Sequence, residues 1–314
     1  MSKNQVSGIH AAIVTPVDYS GTISVERFAR HAQWLLRHGC HGLGVFAVTG
    51  EAASFSVAER QAALEALVGA GIPAEFLMVG VGTCARADTV ALARHALGLG
   101  CRRLAMLPPF FFRRVLDEGL YRAYAEVLDA LADDRLELFL YHHPQITGTP
   151  ITKAVIERLL RAYPATIKGI KDSSASLAHL LDLIRSFPEL AVFAGSDKEL
   201  LPVLEAGGAG TISAAANINS ATSREVFDAF VTGDRAKAEA RMRQVRFVRE
   251  ALEVYSPLVP AVKYVIADGQ KDDEWRHVRA PLVALDGPSG QELVHKLEAA
   301  GCGYDPDLYS VAAG

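Results

Sequence analysis

The residue with the greatest chemical potential in this chain is a lysine at the end of an apolar run. Thr166-Ile167-Lys168-Gly169-Ile170-Lys171 is followed at once by the polar turn Asp172-Ser173-Ser174. An ammonium held where a strand ends inside a fold loses hydration, which lowers its pKa and favours the neutral, nucleophilic amine. Such an amine condenses with carbonyl compounds to give a Schiff base. Tyr141 closes a second apolar run, Leu136-Glu137-Leu138-Phe139-Leu140, and offers a phenol to move protons beside that amine. Strand alternation places Lys171 on the face of Ile167 and Gly169 and turns Lys168 to the opposite face, so Lys168 is read as structural. Gly169 is expected to leave room for a ligand beside the amine.

The elements that must position these groups follow from periodicity. Eight short β-rich apolar runs occur at about 10–17, 43–49, 76–82, 103–108, 136–141, 166–171, 190–195 and 210–215. All but the last are followed by helical periodicity. Residues 25–38 carry Phe28, Trp34 and Leu35 before the stop Gly39, Ser56-Val57-Ala58-Glu59 is a capping box, and 87–97, 118–131, 153–162 and 177–186 repeat the pattern. Strands alternating with helices require crossover connections and hence a parallel sheet. Eight such units predict a (β/α)₈ TIM barrel rather than a doubly wound sheet. Beyond Asn217 the strand signal stops, and 223–232, 234–254, 257–267 and 289–300 read as helices. The expected division is a barrel over residues 1–232 and a C-terminal helical extension over 233–314.

Barrels of this type carry their chemistry at the C-terminal ends of the strands. Those ends hold Thr15, Thr49-Gly50-Glu51, Gly82-Thr83, Pro108-Pro109, Tyr141, Lys171, Gly195-Ser196-Asp197 and Ser213. A glycine after a hydroxyl residue lets consecutive N–H groups converge on an anion, so Thr49-Gly50 suits a carboxylate next to a ketone. The competing reading is an ordinary turn with Glu51 in solvent.

Several segments in combination resemble the dihydrodipicolinate synthase/N-acetylneuraminate lyase family: Val48-Thr49-Gly50-Glu51, Tyr141-His142-His143-Pro144 with Thr147-Gly148, Ile167-Lys168-Gly169-Ile170-Lys171-Asp172-Ser173, Gly208-Ala209-Gly210-Thr211-Ile212-Ser213, and 257–263. They run in order between about residues 8 and 300. The resemblance implies a class I aldolase or lyase with pyruvate, or another 2-oxo acid, as donor. In that reading Lys171 attacks the ketone and Tyr141 shuttles protons, while Thr49 and Gly50 hold the carboxylate. Ser173 and Asp197 hold a polyol tail, Ile212 and Ser213 belong to the substrate-binding set, and Ile146, Phe110–Phe112 and His143 form a rather apolar acceptor side. No metal is expected, and no cofactor beyond the covalent Schiff base on Lys171.

The same resemblance exposes departures. Synthases of lysine biosynthesis share a relay whose first threonine falls at Val48 and whose crossing tyrosine falls at Phe111; neither residue here transfers a proton. The arginine that grips aspartate semialdehyde falls at Ile146, where a substrate carboxylate forfeits a charge-assisted contact worth roughly 1.5–3 kcal/mol. Arg113 and Arg114 read as solvated charges, and Ala214 replaces a serine of the sialic-acid lyases. The acceptor side remains open to a 2-keto-3-deoxy sugar acid, a hydroxy-oxo acid or an aromatic aldehyde. Dihydrodipicolinate synthase proper and a non-catalytic 2-oxo acid sensor are the alternatives.

Composition removes other classes. The chain has 314 residues, a net charge of −4 and no Lys/Arg block, which argues against nucleic-acid and anionic-membrane partners. Cys40, Cys84, Cys101 and Cys302 lack metal or disulfide spacing and read as buried small hydrophobes. Met1-Ser2-Lys3-Asn4-Gln5 has no apolar stretch, so a cytoplasmic location is expected. Gly80-Val81-Gly82-Thr83 resembles a dinucleotide fingerprint, but no acidic residue closes the next strand. His142 and His143 point to opposite faces and cannot readily share a metal ion. The Pro109-Phe110-Phe111-Phe112 cluster is expected at a subunit contact, and the resemblance implies a homo-oligomer built as a dimer of dimers.

Overall fold

The computed structural model describes residues 6–304. Met1–Gln5, on which the expectation of location rests, and residues 305–314 of the expected extension lie outside that range.

In chain order the elements are β1 (Gly8–Ala12), α1 (Val25–Arg37), β2 (Gly42–Val45), α2 (Val57–Gly69), β3 (Leu77–Gly80), α3 (Arg86–Gly98), β4 (Arg103–Met106) and α4 (Asp117–Leu131). Then follow β5 (Glu137–His142), α5 (Pro144–Thr147), α6 (Lys153–Ala162), β6 (Ile167–Asp172), α7 (Leu177–Ser186), β7 (Ala191–Ala194), α8 (Leu200–Glu205) and β8 (Gly210–Ser213). The remainder is α9 (Ala216–Thr232), α10 (Arg235–Glu253), α11 (Leu258–Gln270) and α12 (Gly287–Ala299). The strands pair in parallel from β1 to β8, and β8 pairs with β1 to close the barrel.

Both faces of the strands are buried, as the unbroken apolar runs require. Ala12, Met78, Ala105, Phe139, Ala191, Phe193 and Ile212 fill the barrel interior, while the outward residues pack against the helices. Two glycines of the fingerprint-like segment serve this packing. A Cβ at Gly80 would strike the Phe46 carbonyl, and one at Gly82 would lie 2.5 Å from Leu107 N. They are needed because backbones approach closely there, not for a nucleotide.

Side chains set the helix starts where the sequence indicates them. The Ser56 hydroxyl accepts from Glu59 N at 3.2 Å while the Glu59 carboxylate accepts from Ser56 N at 2.8 Å, completing the capping box of α2. Thr152 and Ser176 cap α6 and α7 more simply, their hydroxyls accepting from Val155 N and His179 N.

Several strands stop earlier than the apolar runs suggest. β2 ends at Val45 because Phe46 adopts a left-handed φ of 53°. β1 ends at Ala12, and the Val14 N–H is taken by Asn217 Oδ1 at 3.1 Å. Conversely α9 starts at Ala216, well before residue 223, with non-helical geometry at Asn219.

The C-terminal helices build a second apolar cluster, in which Val248, Leu252, Val262, Ile266, Trp275 and Leu293 pack with Val14, Ala215 and Ile218. Cys40 and Cys101 are buried, but Cys84 is exposed and Cys302 half-buried, so the reading of all four as buried is corrected. Phe111 and Phe112 are 77% and 74% exposed on this chain, edge to face with each other. No helix among the described residues is long and apolar enough to cross a membrane.

Candidate active site

Strand register places the phenol beside the amine. β5 and β6 pair with Tyr141 opposite Lys171, and the register slips once below them, pairing Leu138 with Ile167 but Phe139 with Gly169. The skipped residue, Lys168, is exposed, and the slip sets Ile167 with Leu138 in the outer apolar cluster, so Lys171 shares its face with Gly169 but, contrary to expectation, not with Ile167. Lys171 Nζ donates to Tyr141 Oη at 3.1 Å and lies 4.2 Å from the ring centroid. The two residues are 4% and 3% exposed. Among the described residues no carboxylate forms an ion pair with Lys171, so its nearest polar partner is the phenol.

Both line a cavity of about 400 Å³ at the C-terminal end of the barrel. Val48, Thr49, His143, Ile146, Ser173 and Ala214 stand on the same wall system. Gly195 has no side chain because the Ser173 hydroxyl occupies the place a Cβ would take. Burial, with the Lys171 charge second, depresses His143 from 6.5 to about 4, so it faces the pocket as a neutral imidazole. Thr49 reaches the cavity after the left-handed Phe46 has turned the chain off β2. Among the described residues neither the Thr49 hydroxyl nor the Thr49 and Gly50 N–H groups have a protein partner. Gly50 itself sits behind Thr49, with its carbonyl accepting from Thr15 Oγ1 at 2.8 Å.

Four expected positions are corrected. Asp197 is fully buried and takes a hydrogen bond from Ser213 Oγ at 2.5 Å; burial pushes its carboxyl pKa up. It is therefore not a contact for a polyol tail. Ser213 points outward from β8 toward Asp197, and Ile212 points inward but below the cavity, packed in the barrel interior. The residue of this strand end that reaches the cavity is Ala214. Gly169 leaves no room for a ligand, since a Cβ there would lie 2.6 Å from the Phe139 ring.

The acceptor side is also more polar than expected. Gln145, Ser176, Ser196, Glu199, Arg249 and Ser256 line it together with Ile146, which is 46% exposed. Arg249 pairs with Glu253 one helical turn on, at 2.9 Å, and that i,i+4 spacing was the available sequence signal. Ser256 belongs to the loop before α11, and of the 257–263 segment Pro257, Leu258 and Val259 line the cavity.

Behind the amine, on the outer face of the sheet, His142, Asp172 and His179 form a compact group. Asp172 accepts from Ser174 N at 2.9 Å and lies 3.0 Å from His179 Nδ1. His142 Nδ1 accepts the Ile151 N–H at 3.1 Å, which assigns the ring proton of a neutral imidazole to Nε2. A metal on Nε2 would require the opposite tautomer, so the group is arranged as a hydrogen-bonded support rather than an ion site.

The match to known proteins has the same extent as the barrel and its appended helices. A model of the dihydrodipicolinate synthetase family matches residues 5–300. The chain belongs to that family. It is 37% identical over 295 residues to an uncharacterized DapA-like lyase of Chloroflexus aurantiacus, covering 93% of this chain and 95% of the relative. It is 28% identical to a 4-hydroxy-tetrahydrodipicolinate synthase of Chlorobium luteolum, with 96% and 99% of the two chains covered. Among solved structures, the pyruvate complex of YagE, a prophage protein of the dihydrodipicolinic acid synthase family from E. coli K12, superposes with a TM-score of 0.86. The identity there is 26%, over 94% of this chain and 99% of that one. As a family member the protein is an enzyme of the aldolase/lyase type.

Proposed function

We propose that the protein is a Schiff-base aldolase that joins or separates a 2-oxo acid, pyruvate in the simplest case, and a hydroxylated aldehyde. The observation that carries this reading is the Lys171 Nζ to Tyr141 Oη contact of 3.1 Å, buried at the floor of the cavity. The amine lone pair attacks C2 of the oxo acid and forms a carbinolamine. Tyr141 passes a proton to the departing hydroxyl, water leaves, and an iminium remains on Lys171. The iminium is an electron sink, so C3 gives up a proton to the Tyr141 phenolate left by dehydration and becomes an enamine carbon that attacks the aldehyde. Tyr141 protonates the new alkoxide, and hydrolysis of the imine frees the amine. Cleavage is the same sequence reversed. The carboxylate takes the open Thr49 and Gly50 donors, which keeps C2 next to Nζ. The pyruvate complex of the related YagE supports pyruvate as donor.

The acceptor is assigned by what lines the outer cavity. Ser173, Ser176, Ser196, Ser256 and Gln145 suit an aldehyde bearing several hydroxyls, hence a 2-keto-3-deoxy sugar acid as the cleavage substrate. Ile146 and Val48 disfavour the lysine-pathway condensation, because one removes the grip on a substrate carboxylate and the other a proton carrier. The test is a panel of 2-keto-3-deoxy sugar acids, with pyruvate release read by coupled NADH oxidation. Release from one or more of them is expected. Activity confined to pyruvate plus aspartate semialdehyde would overturn the acceptor assignment.

A further inference from the structure

Glu51 stands two residues beyond Thr49, and it is not the solvated turn residue considered above. It forms an ion pair with Lys263 of α11, and both side chains are 0% exposed. Each oxygen of Glu51 is occupied: Oε1 accepts from Lys263 Nζ, and Oε2 accepts from the Arg279 N–H at 3.1 Å. Lys263 Nζ donates a second bond to the His277 carbonyl at 3.0 Å. The Arg279 side chain reaches back over the same loop. Its Nε donates to Gly21 O at 2.7 Å, its Nη1 donates to Ser54 O at 2.8 Å, and the guanidinium grips Glu59 of the α2 capping box.

Two charges removed from water are costly, and such a pair is often replaceable by apolar side chains without loss of stability. A fully buried pair is therefore weak evidence for a stabilising role, and a geometric role has to be read from what the pair holds. The constraint is visible in the backbone, because Glu51 holds a left-handed φ of 54°, unusual for a non-glycine residue. Immediately before it stand the unpartnered N–H groups of Thr49 and Gly50. The first turn of α11, with Leu258 and Val259, lines the cavity, and its later Lys263 anchors Glu51.

From this we infer that Glu51, Lys263 and the 277–279 segment form a positioning device that aims the Thr49 and Gly50 donors at the carboxylate of the 2-oxo acid. The inference rests on the reading that those donors take the carboxylate. It assigns the C-terminal helices a role in substrate binding as well as in packing.

The test is pyruvate affinity by calorimetry, with fold checked by circular dichroism and Tm, in the parent and in Lys263→Met, Glu51→Gln and Arg279→Leu. Lys263→Met is expected to weaken pyruvate binding by roughly 10–150-fold, the loss of one charge-assisted contact to the carboxylate. Glu51→Gln shifts affinity in the same direction. Arg279→Leu, which leaves the buried pair intact, shifts affinity in the same direction by a smaller factor. Parental affinity in folded variants with a lowered Tm would make the pair merely structural and overturn the proposal. Should Lys263→Met not fold, the other two variants decide. Borohydride trapping of the parent reads the Schiff-base chemistry separately. An adduct in the parent with unshifted variant affinities sinks only the positioning role. A parent that binds pyruvate without an adduct sinks only the Schiff base. A parent that binds no pyruvate overturns both.

Discussion

Replacing Tyr141 by phenylalanine removes one oxygen from the site and leaves the rest in place. The ring is buried, and its face stays 4.2 Å from Lys171 Nζ. If the hydroxyl only held the amine by a hydrogen bond, its loss would cost about 0.5–1.5 kcal/mol, a factor of about 2–13 in rate. A phenol that carries protons through carbinolamine collapse and C–C bond formation contributes more, about 10²–10⁴-fold, or about 2.7–5.4 kcal/mol of barrier. The two ranges do not overlap, so the magnitude discriminates between them. The assay is steady-state pyruvate release by the parent and Tyr141→Phe. Turnover is expected to fall by at least about 10²-fold while pyruvate saturation stays within a few-fold, since the carboxylate donors are untouched. Turnover within about ten-fold of the parent would refute the proton-shuttle argument.

Two further outcomes follow from the same geometry. Ile146→Arg restores a guanidinium at the rim, and kcat/KM for a carboxylate-bearing aldehyde relative to a neutral one is expected to rise by roughly 10–150-fold; an unchanged ratio would show that position 146 does not select. Burial depresses His31, His41, His142 and His143 from 6.5 to about 4, and His10 to about 3. The unfolded chain takes up these protons as pH falls through 6.5, and the native chain resists until about 4. Stability is therefore whole above that window and is lost on acidification, by up to about 1.36 kcal/mol per pH unit for a fully buried imidazole such as His31 and by less for the partly exposed His41. A Tm that falls from about pH 7 to 5 is expected; a flat profile would contradict it.

The barrel and the Lys171–Tyr141 pair were legible because both depend on local pattern. Apolar runs and caps such as Ser56-Glu59 mark the elements, and strand parity turns Lys171 inward. The errors arise where a neighbour from elsewhere in the chain decides. Gly169 looks like open space until the Phe139 ring from the next strand fills it. Ser213 and Ile212 lie at a strand end, but parity turns one outward and the other sits too deep, leaving Ala214 at the cavity. Asp197 follows Ser196 in sequence, yet only the serine faces the pocket. Glu51 and Lys263 are 212 residues apart, and nothing in the local sequence of either reports their contact. Helix and strand starts carry local signals, whereas the polar partners of buried groups are settled by tertiary packing.

Whether the Lys171 amine bonds covalently to a 2-oxo acid is read directly by reducing the protein with borohydride in the presence of pyruvate, followed by peptide mass spectrometry. A 1-carboxyethyl adduct is expected on the peptide containing Lys171, absent from Lys171→Ala and from protein reduced without pyruvate. An unmodified Lys171 at saturating pyruvate, or an adduct on another lysine such as exposed Lys168, would contradict it.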